Sequence, residues 1–232
     1  MDFAGKIALV PGATGALGSA LAMALGKAGA TVVLAGRNVK ALEKRYDALT
    51  VAGAPEPAIY PINFEGAAQL DYESMADRLV ETFGGVDLLA WSVGHWHGME
   101  PLNNLAPPVW LSALHLNSTA PWLLFRALFD SLRERAGGAI FPLAPRALTE
   151  LAFAGAYGAA QASLRNWVTS AASENERLMP RVYGVELPAL KSKLRLAAFP
   201  AEAMDKVVDA NLLSERYLQI LERAPGVWRL IE

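Results

Sequence analysis

Cysteine is absent from this chain of 232 residues, and charge is sparse, since Asp, Glu, Lys and Arg together make up only 19%. The lack of cysteine excludes disulfide bonds, thiolate nucleophiles and cysteine metal ligands, and it fits a reducing compartment. The net charge is −2 and no basic block occurs, so we expect neither nucleic acid nor an anionic membrane as a partner.

Long hydrophobic runs are missing as well. No apolar stretch is long and uninterrupted enough to span a bilayer, and the N-terminus leads into a strand pattern without a signal peptide. We therefore expect a cytoplasmic protein that does not enter a membrane.

Hydrophobic residues, by contrast, make up 53% of the chain, which suits a substantial core in one domain spanning 1–232. Short apolar runs alternate with helical stretches throughout. This order predicts an α/β fold, a doubly wound and mostly parallel sheet of about seven strands with helices on both faces. Strands are predicted over 7–10, 31–35, 58–62, 86–91, 139–143, 181–186 and 227–231, and helices over 16–28, 39–49, 71–83, 108–135, 153–176 and 212–222.

A glycine-rich turn near the start is the feature around which the rest is organised. An apolar strand pattern precedes Gly12, Gly15 and Gly18, and an alanine-rich helix follows. Such glycines permit a tight turn, close approach of the backbone to a pyrophosphate and close packing of helix on strand, while the helix N-terminus favours the phosphates. The turn therefore predicts a dinucleotide site; the alternative is a tight strand-to-helix turn in some other doubly wound protein.

The end of the second predicted strand bears on which dinucleotide binds. Gly36 stands where an acidic residue would hydrogen-bond the adenosine ribose of NAD. Arg37 beside it has a positively charged guanidinium that can make two parallel hydrogen bonds to a 2′-phosphate. The pair predicts NADP(H) in preference to NAD(H); the alternative for Arg37 is a solvated surface charge.

Taken together, the motifs resemble the short-chain dehydrogenase/reductase family over nearly the whole chain, which implies a single Rossmann domain. The resemblance rests on the turn Pro11–Gly18, on Trp91-Ser92-Val93-Gly94, on the asparagine segment Leu116–Ala120, on Tyr157–Gln161 at the Tyr-x-x-x-Lys position, and on Pro188-Ala189.

The resemblance implies a set of site residues. Tyr157, Asn117 and Gln161 occupy catalytic positions, Gln161 being placed to hold the cofactor ribose and Asn117 to position a water or the backbone. Asn63 lies where the family has a polar residue that contacts adenine. The implied cofactor-binding residues are Gly12, Ala13, Thr14, Gly15, Leu17, Gly18, Arg37, Asn38, Asn63, Ser92, Val93, Gly94, Tyr157, Gln161 and Pro188.

Two of the family's usual catalytic positions are altered. The motif lysine is Gln161, and the serine expected just after the fifth strand is Ala144, with no serine anywhere from 136 to 161. A free phenol titrates near pH ~10, and a neutral glutamine cannot favour the phenolate as an ammonium would. Tyr157 is therefore expected to stay protonated at neutral pH, able to donate a proton but rarely ready to accept one.

Other side chains could substitute for the missing serine or bind a metal. Thr149, Arg146, Ser92, His95 and His97 carry suitable donors. The two histidines share a loop with Glu100, but this spacing matches no metal motif, so we expect no metal; with Trp96 they would line the mouth of the cleft.

These features leave three functional hypotheses. The first is an NADP(H)-dependent reductase of a small carbonyl compound with a reorganised site. The second is a non-catalytic dinucleotide-binding sensor or partner subunit. In the third, Pro11 and Trp91 fill the cleft, no nucleotide binds, and the protein acts only through an oligomeric surface.

Two further stretches concern partners. The small residues of 152–172 would let helices approach closely, which with the family resemblance predicts a homodimer or homotetramer. A loop predicted over 187–200 carries Lys191, Lys193 and Arg195, which either hold an acidic ligand or cofactor phosphate or remain solvated.

Overall fold

The computed structural model describes residues 2–174 and 180–230. Within these ranges the short apolar runs of the sequence form the strands of one sheet. The strands are β1 (Ile7–Pro11), β2 (Thr31–Gly36), β3 (Ala58–Pro61), β4 (Leu88–Ala90), β5 (Gly138–Leu143), β6 (Arg181–Glu186) and β7 (Gly226–Arg229).

The sheet has seven strands in the order β3-β2-β1-β4-β5-β6-β7, and each neighbouring pair runs parallel. The order reverses between β1 and β4, because the chain first builds outward to β3 and then returns to the other side of β1. In doubly wound sheets, ligands bind in the crevice at such a switch point, beyond the carboxyl ends of the strands. The predicted parallel, doubly wound sheet is confirmed.

Helices connect the strands and cover both faces of the sheet. They are α1 (Ala16–Lys27), α2 (Val39–Val51), α3 (Gln69–Phe83), α4 (Pro107–Leu114), α5 (Ala120–Ala127), α6 (Phe129–Glu134), α7 (Arg146–Thr149), α8 (Gly155–Ser173), α9 (Lys193–Ala198) and α10 (Ala210–Gln219). None of the helices in the described ranges is long and apolar enough to cross a membrane.

Two apolar clusters hold this arrangement together, one on each face of the sheet. Alternate residues of β1 show the division, because Leu9 belongs to the cluster that α3, α5 and α8 cover, whereas Val10 belongs to the one that α1 and α10 cover. Both residues are fully buried, as expected for a strand covered on both faces.

The single long helix predicted over 108–135 is wrong. α4 passes into a π-helical turn, His115–Thr119, before α5 begins, and Leu128 separates α5 from α6. Pro121 supplies a physical reason, since it has no N–H to donate to the carbonyl of Asn117, four residues before it.

Other boundaries also differ from prediction, and the clearest differences lie in the second half of the chain. The predicted loop over 187–200 contains α9, whose first turn is capped by the Ser192 hydroxyl accepting from the Arg195 amide at 3.1 Å. The loop before α8 contains the short α7, and α10 starts at Ala210 and passes into a 3-10 turn, Ile220–Glu222. The predicted ends of the α8 helix at 176 and of the last strand at 231 lie outside the described residues.

Candidate functional site

The glycine-rich turn joins β1 to α1 at the switch point of the sheet. Gly12 adopts φ +78°, and a Cβ added there would lie only 2.9 Å from the backbone of Ser92 and Val93. A Cβ at Gly18 would collide with the carbonyl oxygen of Gly12 and with the Ser92 hydroxyl. Both glycines are therefore required by close backbone approach, which is what a phosphate cradle needs.

Ser92 ties this turn to the end of β4. Its hydroxyl donates to the Pro11 carbonyl at 2.5 Å, and its amide donates to the same oxygen at 3.0 Å. The Gly12 amide in turn donates to the Ala35 carbonyl at 2.9 Å. The carboxyl ends of three adjacent strands are thus fixed together below the first turn of α1.

A cleft of about 770 Å³ opens along this edge of the sheet. It begins at the first turn of α1, passes the end of β4 and reaches the segment after β6, and its walls are largely apolar. Trp91 borders the cleft but is almost fully buried, and its ring centroid lies 5.2 Å from that of Phe64 in the core. The cleft stays open beside it, which does not support the hypothesis that Pro11 and Trp91 fill it. Predicted site residues among the lining are Thr14, Gly15, Leu17, Ser92, Val93, Gly94, Tyr157, Gln161 and Pro188.

The remaining predicted cofactor residues lie outside this lining. Gly12, Ala13 and Gly18 form the floor of the turn, and within the described residues the cleft does not reach Arg37, Asn38 or Asn63. These last three follow the carboxyl ends of β2 and β3, at the same edge of the sheet.

Each of those polar residues already has a partner in the free protein. Arg37 pairs with Glu65 at 3.5 Å. The Asn38 side chain caps α2 by accepting from the Ala41 amide at 3.1 Å, and the Asn63 side chain accepts from the Glu65 amide at 3.3 Å. Arg37 is the member of this group that is both charged and largely exposed, and so the one free to turn toward a phosphate.

Tyr157 lies on the first turn of α8 and is buried. Its ring contacts that of Trp96, with centroids 5.0 Å apart. Within the described part of the chain its hydroxyl makes no hydrogen bond to the protein, although the residue lines the cleft. Burial raises the pKa of Tyr157 to about 12. The phenol is therefore held in its protonated form and has its O–H available to a ligand.

Gln161 lies one helical turn after Tyr157, on the same face of α8. Its Oε1 accepts from the backbone amide of Ala144 at 3.0 Å. The next residue on this face, Arg165, donates to the Ala144 carbonyl at 2.8 Å. The peptide at the predicted serine position is thus held on both sides by α8.

Asn117 lies in the π-helical turn and is buried. Its Oδ1 accepts from the His95 amide at 2.9 Å, and its Nδ2 donates to the carbonyls of His95 and Ala113, each at 3.0 Å. All three contacts are to backbone, so the side chain anchors the loop after β4.

The two loop histidines lie against each other, with ring centroids 4.3 Å apart. His97 Nε2 lies 3.2 Å from the Ser112 hydroxyl, which donates to Glu65 Oε1 at 3.3 Å. Burial, and then the neighbouring His95, lower the pKa of His97. Among the described residues no group of three His, Asp or Glu side chains could hold a metal ion.

Sequence reasoning missed what covers Tyr157. Trp96 and Tyr157 form an apolar cluster with Leu148 of α7 and with Leu194 and Phe199 of the segment after β6. The sequence signal is weak, because the covering residues come from three separate segments, the loop after β4, α7 and the segment of α9, which share no periodicity. The cluster makes the surroundings of the phenol largely apolar.

In the basic segment, Arg195 differs from both of its predicted roles because it is paired within the segment. Arg195 donates to Glu202 through two hydrogen bonds of 2.6 Å, and its guanidinium lies 3.9 Å from the centroid of the Phe199 ring. Arg195 is therefore engaged within the segment, while Lys191 and Lys193 are exposed.

Comparisons with known proteins agree with this fold and site. The family model of the short chain dehydrogenases matches residues 6–212. The uncharacterised oxidoreductase YciK of Escherichia coli K12 is 24% identical over 217 residues, covering 93% of this chain and 86% of that protein.

Solved structures are similar over almost the full length. A structure described as a short chain dehydrogenase of Shigella flexneri 2a complexed with NADP has a TM-score of 0.91 at 23% identity, covering 98% of this chain and 97% of that one. One from Escherichia coli CFT073, complexed with NADPH, has a TM-score of 0.90 at 24% identity, with the same coverage. The fold, the glycine-rich turn and the matched length together show that this chain belongs to the short-chain dehydrogenase/reductase family.

Proposed function

We propose that this protein is an NADP(H)-dependent oxidoreductase that reduces a carbonyl compound to an alcohol. The observation that carries the proposal is the Tyr157 hydroxyl, which is protonated, without a partner among the described residues and placed in a cleft that begins at the glycine-rich turn. A phenol in this state is a proton donor, and the reduction of a carbonyl group requires one.

The residues present fit a dinucleotide. The backbone at Gly12 and Gly18 is too closely packed for any side chain. Ala16 and Leu17, the first residues of α1, line the cleft, and the N–H groups at the start of a helix have no intrahelical partner, so they can donate to phosphate oxygens. The solved relatives complexed with NADP and NADPH share this architecture. Arg37 would meet the 2′-phosphate by leaving Glu65, which is the basis for preferring NADP(H) over NAD(H).

The bound nicotinamide would supply the hydride that adds to the carbonyl carbon. As negative charge develops on the carbonyl oxygen, Tyr157 donates its proton there, and the phenol regains a proton from solvent. Asn117 keeps the loop after β4 in place through the backbone of His95, and Gln161 keeps an amide N–H group free beside the phenol. Apolar walls from Trp96, Leu194 and Phe199 exclude water and favour an uncharged, largely apolar substrate.

A non-catalytic dinucleotide sensor or partner subunit is the second candidate. It is favoured by the same raised pKa, because a phenol without a neighbouring cation cannot readily accept a proton in the reverse reaction. Such a protein would bind NADPH tightly and turn over nothing.

We further propose that the chain assembles as a homodimer or homotetramer. Leu111 of α4 and Trp122 of α5 leave 64% and 43% of their surface exposed, and α8 next to them is rich in small residues. A second copy would cover this apolar surface. A cytoplasmic location stays a prediction, for which the absence of cysteine is the support.

The test combines binding with turnover. Calorimetric titration with NADPH and NADH should give a lower Kd for NADPH. Oxidation of NADPH is then followed with a panel of aldehydes and ketones, with Tyr157→Phe as the control that keeps the ring and removes the proton. Turnover well above this control supports a reductase, tight binding without turnover supports the sensor, and no binding of either coenzyme contradicts both.

A further inference from the structure

With alanine at the serine position, another group must polarise the substrate oxygen together with Tyr157. Three of the five substitutes suggested by the sequence are engaged elsewhere. The Ser92 hydroxyl donates to the Pro11 carbonyl, the Thr149 hydroxyl donates to the Arg146 carbonyl at 2.9 Å, and His97 lies against Ser112. These three groups are therefore committed to partners away from the cleft beside Tyr157.

Gln161 does have a donor for the cleft. The backbone N–H of Ala144 can only donate, so the atom that it meets at 3.0 Å must be the amide oxygen, and this fixes the orientation of the side chain. The amide nitrogen then makes no hydrogen bond within the described residues, and the side chain lines the cleft. Gln161 is buried, so little of its side chain is exposed apart from what faces the cleft.

The side-chain amide of Gln161 lies beside the position that the family's serine would occupy. It lies within hydrogen-bond reach of the backbone of Ala144, which is the residue that stands at the serine position. The amide of Gln161 therefore occupies space beside the point at which a serine hydroxyl would be attached. It does so from the helical turn that follows Tyr157, so the two donors lie on one face of α8.

The surroundings hold the amide rigidly. Arg165 fixes the Ala144 carbonyl at 2.8 Å and also pairs with Glu186 at 2.8 Å. Glu186 is buried at the end of β6 and is paired from its other side with Arg229, again at 2.8 Å. Donors fixed in this way need little rearrangement when charge develops in front of them, which is the condition for effective transition-state stabilisation.

We infer that Gln161 is a catalytic residue that replaces the family's serine, donating from Nε2 to the substrate oxygen while Tyr157 donates its proton to the same atom. This inference rests on the proposed carbonyl reduction and changes the role expected of Gln161, from holding the cofactor ribose to polarising the substrate. It also explains why both positions differ together from the family pattern. A lysine at 161 would have no oxygen to accept the Ala144 N–H, and a serine at 144 would compete for the place of the amide.

The first test separates the two roles of Gln161. Gln161→Leu removes the amide, and Gln161→Glu keeps an oxygen for the Ala144 N–H but has no N–H to donate. Both should lower kcat for ketone reduction by about 10²-fold or more, the usual effect of losing one such donor, with the Kd for NADPH unchanged within about twofold. Asn166→Leu, which removes an exposed amide from the same helix, is the matched control and should leave kcat and Kd unchanged.

Rescue adds a result that a merely structural role would not give. Adding Ala144→Ser to Gln161→Leu should raise kcat at least about tenfold above that of Gln161→Leu, because the serine hydroxyl supplies a donor again. A raised Kd for NADPH with kcat unchanged in Gln161→Leu would instead assign the amide to the ribose and overturn the inference.

The second test does not require turnover. The C=O stretching band of acetophenone labelled with ¹³C at its carbonyl is measured by difference infrared spectroscopy in the complex with the protein and NADP⁺. The wild-type protein should shift this band to lower frequency, and Gln161→Leu should remove much of the shift while Asn166→Leu does not. If Gln161→Leu removes the band shift but the wild-type protein has no reductase activity, the donor role is supported and the proposed function is contradicted. If the wild-type protein is an active reductase and Gln161→Leu leaves the band shift unchanged, the inference is overturned.

Discussion

Arg37 lies 3.5 Å from Glu65, measured from Nη1 to Oε2, and 71% of the arginine side chain and 45% of the glutamate side chain are exposed. An exposed ion pair of this kind contributes less than about 1 kcal/mol, so a dianionic 2′-phosphate can draw the guanidinium away from it. The pair therefore keeps the Arg37 side chain near the end of β2 but is weak enough for a bound phosphate to replace Glu65 as its partner.

Cofactor preference follows from this pair. Arg37→Ala should weaken NADPH binding by about 10- to 100-fold, the effect of one charge-assisted phosphate contact, and change NADH binding by less than about threefold. Glu65→Gln should tighten NADPH binding a few-fold, since no carboxylate then competes for the arginine. Calorimetry measures both effects, and Arg126→Ala, which breaks the exposed pair with Glu73, serves as the control. Equal losses for NADPH and NADH in Arg37→Ala would refute the assignment.

The tight turn at Gly18 gives a second prediction. Because a Cβ there would collide with the Gly12 carbonyl and the Ser92 hydroxyl, Gly18→Ala should lower the free energy of unfolding by about 1–3 kcal/mol. It should also weaken NADPH binding at least tenfold, by displacing the backbone that meets the phosphates. Urea denaturation and calorimetry provide the two measurements. Gly66→Ala, where a Cβ would make only an ordinary contact of 3.8 Å, should change neither.

Asp87 lies at the opposite end of the sheet and provides a pH-dependent test of stability. Its carboxylate accepts from the Ile7 amide at 2.9 Å, from Lys6 at 3.1 Å and from Arg135 at 3.0 Å. Burial raises the pKa of Asp87, but these hydrogen bonds outweigh burial and leave the pKa below its ordinary value. The stabilisation is therefore present above pH ~4 and is lost as the pH falls through the lowered pKa.

Asp87→Asn should accordingly reduce the free energy of unfolding at pH 7 by about 1–3 kcal/mol. The difference from wild type should shrink as the pH falls below about 4, where the carboxyl of the unfolded chain takes up a proton, and should be smallest once the pH is below the lowered native pKa. Denaturation curves at a series of pH values measure this. Asp130→Asn, which alters only an exposed pair with Arg133, should show no such trend.

Much of the fold is accessible from the sequence because its signals are local. The run Ile7–Val10 has the composition of a strand buried on both faces, and the glycines after it indicate a turn with close backbone approach. The resemblance then places Tyr157 at the cleft. Pro121 is a sequence signal for the break in the helix after α4. The apolar pattern continues across this break, however, and favours one uninterrupted helix.

The chemistry of the site is less accessible because it depends on contacts between distant residues. Nothing in the sequence indicates that Gln161 accepts from the Ala144 amide, since that contact is made by the packing of α8 against the end of β5. The same holds for the apolar cover of Tyr157, in which Trp96 and Phe199 meet only after the chain has folded.

Restoring the family's usual residues tests the effect of their replacement. In Ala144→Ser with Gln161→Lys, the lysine ammonium would lie one turn from the phenol and favour the phenolate, which lowers the pKa of Tyr157. The midpoint of the pH profile for alcohol oxidation should fall by about one to three pH units relative to wild type. Ala144→Ser with Gln161→Met, which adds no charge, should leave the midpoint where it was. An equal fall in both variants would mean that charge at position 161 does not control the phenol.

The central claim is that Tyr157 keeps its proton, and the pH dependence of the two reaction directions tests it most directly. With a pKa of about 12, the phenol is protonated throughout the neutral range. Ketone reduction by NADPH should therefore be flat from about pH 6 to 9, and alcohol oxidation by NADP⁺ should be slow at neutral pH and rise by about tenfold per pH unit over the same range. Rapid alcohol oxidation at pH 7, on a plateau that does not change with pH, would contradict the account.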